Sequence, residues 1–581
     1  MARPLLTLLL IFLFLSLHAQ GPNRETAFLF LQKMGKGANL MAAKVDGFYF
    51  DTRDAEILVE NHFTHIRLGA KLDRYTGPAP VYEIDPVRLN YVRSCVDILL
   101  DHGLMVVLDP LHQYNEVYTN ADLPRLRAIW HQIALTFSQH PVESLCFEIM
   151  NEPHDDYNLY DLVHGSLSEI RSVPGNEHRM VIVSGQGFST RQALIDAFDQ
   201  DIFPPDDPAL IGTYHYYDPR PFTNQGTMGE TQNWAASGDS DPDWVAVTAA
   251  FTEVSTANSN WAARNNSSPL PVYLGEYGVD NAAPLADRKR WLWWIRNQAE
   301  YQGFAHALWN MYNDSPDSKG IGPWTNLQKQ DPSTRYLRAD LVETLLARYE
   351  AEEGVPVTGC TIDASRTDAS ETAIRMSQAG DAFMVPGIYQ GKSGDFGVYL
   401  RVRNEGPLAA RLILRSRKGA DSGFGNETSF EIPPGPETGW ATVQHPVYLP
   451  ADTGAVLSLE LAEGSGLLID FIAISLGQYY EHYFPGTPVM TGMEDLQENT
   501  GFLVHPNPCS GYFWVREKDD APGTSFRVSI SDLTGRILQV ENITSHVPFH
   551  LQPGISPGPY LVQVWIDGQE TAQDFILIKK E

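Results

Sequence analysis

Between about residues 30 and 350, short runs rich in aliphatic and β-branched residues alternate with longer stretches of helical periodicity, and this alternation constrains the fold more than any other feature. Such repetition argues for parallel strands joined by crossover helices. The candidate strands are Gly37–Leu40, His65–Ala70, Met105–Pro110, Leu145–Met150, Met180–Ser184, Leu210–Tyr217, Val272–Val279 and Phe304–Trp309. Eight strands over this length predict a closed (β/α)8 barrel, the TIM-barrel class of α/β fold. One intervening helix is legible in Val92, Cys95, Val96, Leu99 and Leu100, which share an apolar face stopped at Gly103.

A chain of 581 residues exceeds one ordinary core, and its texture changes along its length. Met1 to about Gln20 reads as a signal peptide, with Arg3 ahead of an apolar run from Leu5 to Leu17. That run is shorter than the roughly 20 apolar residues a span needs, so no stable membrane span is expected. The barrel then occupies 21–354. From 355 to 480 short alternating strands such as Val398–Arg403 and Ala410–Arg415, separated by Gly, Pro, Asn and Asp, predict an all-β sandwich. A polar linker at 481–500 leads to a second all-β sandwich domain at 501–581.

The formal charge of −30 has the wrong sign for neutralising phosphates, which excludes nucleic acid as an expected partner. Four cysteines in so long a chain do not make a disulfide framework. Cys95 and Cys146 sit in apolar patterns and read as core, and whether Cys360 and Cys509 pair stays open.

The residues that carry chemistry lie where the strands end. Barrel enzymes place catalytic groups at the C-terminal ends of their strands. The fourth strand runs out through Ile149-Met150-Asn151-Glu152-Pro153 and the seventh through Leu274-Gly275-Glu276-Tyr277. Period-two alternation puts Val272, Leu274 and Glu276 on one face, so that if Leu274 faces the barrel axis, Glu276 does too. By the same test His65, Arg67 and Gly69 share a face, as do His215 and Tyr217, and Ala305, Ala307 and Trp309. An indole above small residues makes a platform for a sugar ring. Two carboxyl groups at a barrel mouth suit glycoside hydrolysis with retention, which needs one protonated and one ionised acid about 5–5.5 Å apart.

Taken together, Asn151-Glu152-Pro153, Gly275-Glu276, Arg67, His215-Tyr216-Tyr217 and Trp309 resemble glycoside hydrolase family 5 over about residues 30–350. The resemblance implies Glu152 as acid/base and Glu276 as nucleophile. It implies Asn151 on the sugar 2-hydroxyl, Arg67 beside the nucleophile, His112, His215 and Tyr217 lining the −1 subsite, and Trp309 as its platform. No cofactor or metal is expected, because the reaction class needs none and no ligand spacing is visible. Strand two continues Arg67-Leu68-Gly69 where a proline is frequent, and strand three ends in an altered Asp109-Pro110-Leu111-His112 loop. An endo-β-1,4-glucanase is the expected activity and a β-glucan the expected polysaccharide partner. A β-mannanase, a xyloglucanase or a non-catalytic polysaccharide-binding protein are the alternatives.

Blander readings exist for several residues. Glu148 shares the parity of Glu152 and would pair structurally, Arg67 would serve in an ion pair with it, and His112 and His215 would be satisfied core histidines. Trp234 and Trp324 are candidates for outer subsites. The closing run Gly464-Ser465-Gly466-Leu467-Leu468-Ile469-Asp470 gives the first sandwich a resemblance to carbohydrate-binding modules, in which Tyr389, Phe424 or Trp440 would stack on sugars unless they are core. The final module resembles the C-terminal sorting domain of type IX secretion substrates, through His505-Pro506-Asn507-Pro508, Gly511-Tyr512-Phe513, Asp532-Leu533-Thr534-Gly535-Arg536 and Gly558-Pro559-Tyr560. It implies the type IX secretion machinery as a partner and a secreted or cell-surface location.

Overall fold

The structure, a computed structural model, describes residues 24–476 except 42–49, 113–116, 155, 230–231, 235–241, 314, 365–371, 420–422 and 435–439, together with strand segments between 502 and 579. The leader, the 481–500 linker, Cys509 and the Asp532–Arg536 and Pro506–Pro508 motifs lie outside the described residues. Among the described residues no helix is long and apolar enough to cross a membrane.

Eight parallel strands close into a barrel in sequence order: β1 (Lys36–Met41), β2 (His65–Gly69), β3 (Met105–Asp109), β4 (Leu145–Glu148), β5 (Val181–Ser184), β6 (Leu210–Tyr216), β7 (Val272–Tyr277) and β8 (Ala305–Leu308). Each lies within the run that the sequence marks or overlaps it closely. Alternate residues divide between two cores, as the pleat requires. Ile66, Leu68, Val106, Leu108, Leu145, Phe147, Val181, Val183, Val272 and Leu274 pack outward against the helices. Met105, Val107, Cys146, Ile182, Ile211, Tyr273, Ala305 and Ala307 fill the interior. The helix Glu25–Met34 closes the floor by burying Ala27, Phe30, Leu31 and Met34 against that interior set. Cys95, on the helix Pro86–Asp101, and Cys146 are both buried thiols.

Beyond the barrel lie antiparallel all-β sheets. In one, Val355–Thr358, Ala382–Gln390, Asp452–Glu463, Ala410–Arg417 and Asn426–Ile432 lie side by side; in the other, Thr361–Asp363, Ala373–Met376, Leu467–Ser475, Gly394–Asn404 and Ala441–Leu449. Inward residues of both, such as Phe383, Leu400, Leu414, Leu459 and Ile472, join a core continuous with the outer core of the barrel. The chain enters this sandwich through Arg348–Glu350, which pairs with Phe471–Ala473. The C-terminal segments form a further three-stranded and a four-stranded antiparallel sheet.

The seam between barrel and sandwich is built on the helix Leu285–Tyr301, whose residues from Trp291 to Glu300 are all buried. Trp293 meets Phe396 at 5.6 Å, Arg296 Nη1 donates to Ile474 O at 2.9 Å, and Leu476 N donates to Asn297 Oδ1 at 3.0 Å. Glu300 sits at its centre, 2.8 Å from Lys36 Nζ, 3.3 Å from Arg296 Nη1 and 3.7 Å from His306 Nε2, and it accepts a hydrogen bond from the Ser475 hydroxyl.

Candidate active site

The mouth of the barrel is organised around Arg67, which β2 points inward and which is fully buried. A buried guanidinium must have every donor used or lose several kcal/mol of solvation, and here all of them are engaged. Nε and Nη2 grip Glu148 at 2.7 and 2.8 Å, Nη1 donates to Asn39 Oδ1 at 3.0 Å and to Glu276 Oε1 at 2.7 Å, and Nη2 also reaches Asn151 Oδ1 at 2.8 Å. Asp109 Oδ2 adds its charge at 3.3 Å. Arg67 is therefore both the structural partner of Glu148 and a neighbour of Glu276; the two readings left open by the sequence are combined in one side chain.

Glu276 reaches the interior by a route that alternation does not predict. Leu274 packs outward and Tyr273 inward, so strict period two would turn Glu276 away from the axis. The ladder to β6 instead pairs Tyr214 with Leu274 and His215 with Glu276, leaving Gly275 as an extra residue, and the β8 ladder shifts at the same place. This β-bulge re-aims the next side chain. Glycine is required there because a Cβ would lie 2.8 Å from Thr213 Oγ1 and 3.2 Å from His215 Nε2. Both Glu276 oxygens are then held, Oε1 by Arg67 and Oε2 by the Tyr217 hydroxyl, which donates at 2.8 Å. Burial, with Glu276 and Glu152 adding to it, holds the Tyr217 phenol well above its ordinary range, so it remains a donor.

Glu152 stands beyond the end of β4, with its backbone in the left-handed region at φ 45°. For a residue other than glycine this costs on the order of 1–2 kcal/mol, the kind of strain that active sites retain. Its side chain is 25 % exposed where that of Glu276 is 6 %, and its Oε1 lies 2.9 Å from His215 Nδ1. Burial raises the Glu152 carboxyl above its ordinary range, against the opposing pull of His112, Arg67, His154 and Arg220. An oxygen of Glu152, an oxygen of Glu276 and a ring nitrogen of His215 all lie within 4.8 Å of one another. These three are the described residues best placed to hold a metal ion, but Arg67 already fixes a positive charge on Glu276, which opposes a second cation there.

Two histidines complete the wall. Burial pushes the His215 imidazole down to about 4 in spite of Glu276, and burial together with Arg67 pushes His112 down to about 4 as well. Both are neutral at neutral pH. His112 Nδ1 lies 2.6 Å from Asp109 Oδ2, and the ring stacks on Trp309 with centroids 5.5 Å apart and planes 6° apart. Burial raises the Asp109 carboxyl to about 7 against the pull of Arg67.

The structure thus brings Arg67, His112, Asn151, Glu152, His215, Tyr217, Glu276 and Trp309 to one mouth. It adds Asn39 and Asp109, which the sequence reading passed over. Asn39 Nδ2 donates to the bulge carbonyl of Gly275 at 2.9 Å, and the inward parity of Gly37 and Asn39 on β1 was the signal available. Trp234 does not belong to the site: it is 1 % exposed in the outer wall, packed against Phe222 and Trp244. Trp324 stacks on Tyr312 at 5.5 Å under the Arg335 guanidinium.

Residues 36–315 match the family model Cellulase, glycosyl hydrolase family 5. Endoglucanase H of Acetivibrio thermocellus is 32 % identical over 308 residues, which cover 50 % of this chain and 31 % of that protein. Endoglucanase B of Neocallimastix patriciarum is 27 % identical over 267 residues, covering 43 % of this chain and 53 % of its own. The chain therefore spans about a third of the length of the first of these relatives and about half of the second. A solved hyperthermophilic endo-β-1,4-glucanase, crystallised with substrate, aligns with 55 % of this chain and 98 % of its own at 27 % identity, with a TM-score of 0.46.

Proposed function

We propose that the barrel is a family 5 glycoside hydrolase that cuts β-1,4-glucan chains internally with retention of configuration. The observation that carries this reading is the pair of glutamates at the mouth. One carboxyl is raised by burial and the other is held by an arginine and a tyrosine, with their nearest oxygens within 4.8 Å. Two acids held in such different surroundings divide into a proton donor and a nucleophile, and the short separation leaves no room for a water between nucleophile and sugar.

In the first step Glu276 attacks the anomeric carbon while Glu152 gives its proton to the departing glycosidic oxygen, so a glycosyl–carboxylate ester forms as the glycosidic bond breaks. In the second, Glu152 takes a proton from water, the hydroxide adds to the anomeric carbon, and the ester bond to Glu276 breaks. Arg67 and Tyr217 stabilise Glu276 each time it leaves as a carboxylate. Asn151, oriented by Arg67, would meet the sugar 2-hydroxyl, and Trp309 against His112 would carry the ring. The glucan assignment rests on the relatives named as endoglucanases, and mannan and xyloglucan are the next substrates to try.

Export is part of the proposal: the leader at 1–20 and the C-terminal module would direct the protein through the type IX machinery to the surface or medium. For the first sandwich, Tyr389 and Trp440 are 7 % and 3 % exposed, and Phe424 lies beneath the Arg417 guanidinium at 4.5 Å. That packing favours a supporting role over sugar stacking for the two buried rings.

The test is reducing-sugar release from soluble β-glucan, mannan, xylan and xyloglucan by the exported protein, with Glu276→Gln and Glu152→Gln alongside. β-Glucan should be cut, with early loss of viscosity, and both variants should lose nearly all activity. Binding without cleavage, equal in all three proteins, would replace the hydrolase with a polysaccharide-binding protein.

A further inference from the structure

The helices that wrap the barrel do not close evenly around it. The helix Leu159–Ser172 packs on Leu123–Thr136 before it, and Arg191–Asp199 packs on Pro242–Arg264 after it. Between Leu159–Ser172 and Arg191–Asp199 the shell opens instead into a groove of about 320 Å3. Sites for small ligands begin at roughly this size. Ala193 and Ala197, one turn apart, line the groove with methyl groups where longer side chains would fill the gap. A Cβ at Gly185 would lie 1.8 Å from Ala193 O, so the end of β5 presses on this helix and holds it to the sheet rather than to its neighbour.

The groove is separate from the catalytic mouth. Gln186 Nε2 donates to Tyr157 O at 3.1 Å and Gly187 N donates to Pro153 O at 2.6 Å, so the loops after β4 and β5 are laced together between the two. Its polar lining comes from Asn158, Gln186, Asp196 and Gln200, and no lysine, arginine or histidine lines it. An anionic ligand would meet one charge there, that of Asp196, and it has the wrong sign. Amides and a carboxylate are partners for neutral hydroxyl groups.

In the same wall stands Tyr160, which is 47 % exposed. A single exposed aromatic residue needs no explanation. This one is fixed from behind. Its ring lies on the His164 imidazole, with centroids 3.7 Å apart and planes 21° apart, and His164 Nε2 lies 3.1 Å from Ile202 O. A flat ring held beside hydroxyl-binding groups matches a pyranose, which is apolar on its C–H face and polar around its rim. We infer that this groove is a second polysaccharide site on the barrel, where Tyr160 stacks on one sugar ring of a neutral glycan and the amides and Asp196 bind its hydroxyls. It would hold the protein on the polymer without touching the bond that is cut. The choice of β-glucan as that glycan rests on the hydrolase reading.

The experiment measures the dissociation constant for soluble β-glucan by native affinity electrophoresis, using the full chain carrying Glu276→Gln so that the polymer stays intact. Tyr160→Ala, Tyr160→Phe and Gln200→Ala are added to it, and gels with mannan and without polysaccharide run alongside. Loss of a stacked ring weakens binding roughly three- to tenfold. Tyr160→Ala should raise the dissociation constant by that factor, Gln200→Ala should raise it less, and Tyr160→Phe should stay close to the parent. With Glu276 intact, kcat/KM for an aryl β-cellobioside should be the same in all of them, because that substrate is too short to leave the mouth. Unchanged retardation in Tyr160→Ala, or no retardation of any of the proteins by either polysaccharide, would overturn the second site. An equal fall in kcat/KM for the aryl cellobioside would also overturn it, by placing Tyr160 at the mouth. A protein with Glu276 intact that cuts nothing would overturn the hydrolase, whereas a Tyr160-dependent retardation would still establish the site.

Discussion

Two glutamates, the half-buried Glu152 at the mouth and the buried Glu300 at the seam, show how one residue type is put to opposite uses. Burial raises the pKa of both. At the mouth His112, Arg67, His154 and Arg220 fail to offset it, and the Glu152 carboxyl stays above its ordinary range. At the seam Arg296, Lys36 and His306 overcome it, and the Glu300 carboxyl is held below its ordinary range. The cations at the seam touch Glu300 directly, whereas the arginine at the mouth spends its donors on Glu148, Glu276, Asn39 and Asn151. An acid denied a touching cation thus keeps a raised pKa, as a proton donor needs, and one given two becomes a joint.

If that contrast holds, removing charge at the mouth and at the seam should have separable effects. The largest is expected at the mouth: Glu276→Gln lowers kcat by about 10³-fold or more while leaving the denaturant midpoint close to wild type. A variant that also unfolds would place Glu276 among the supports of the fold. At the seam, Glu300→Gln leaves Lys36 and Arg296 buried and uncompensated, at a cost of about 3–5 kcal/mol in denaturant unfolding, with kcat unchanged. Because its folded pKa lies below its unfolded one, the Glu300 contribution is present above the ordinary glutamate range and fades as pH falls through and below it. A Glu300→Gln protein with unchanged stability would show the seam to be weakly coupled. The smallest effect is in the pH profile. Glu152 acts in its protonated form, so the alkaline limb of kcat/KM lies above the ordinary glutamate range, and a limb at that range would contradict the raised carboxyl.

The barrel was legible because its strands are marked twice, by apolar runs and by polar residues where those runs stop. The mouth residues were legible through their place at strand ends, and the parity of His65, Arg67 and Gly69 survives intact. Parity misled on β7, because a bulge leaves no trace in hydrophobic alternation beyond the glycine itself. Trp234 was misplaced because an indole in a polar loop reads the same whether its ring turns to the cleft or into the wall. The seam was not legible: Lys36, Arg296, His306 and Ser475 are scattered along the chain, and only tertiary packing gathers them around Glu300.

The bulge at Gly275 also has a meaning for how the site can change. A substitution on β7 that keeps Gly275 leaves the bulge in place, but a regular ladder running through Gly275 would swing Glu276 out among the helices. The sheet would become more regular and the protein inert. In this barrel the capacity for chemistry is stored as a counting error, and straightening the strand erases it more surely than any change of side chain beside it.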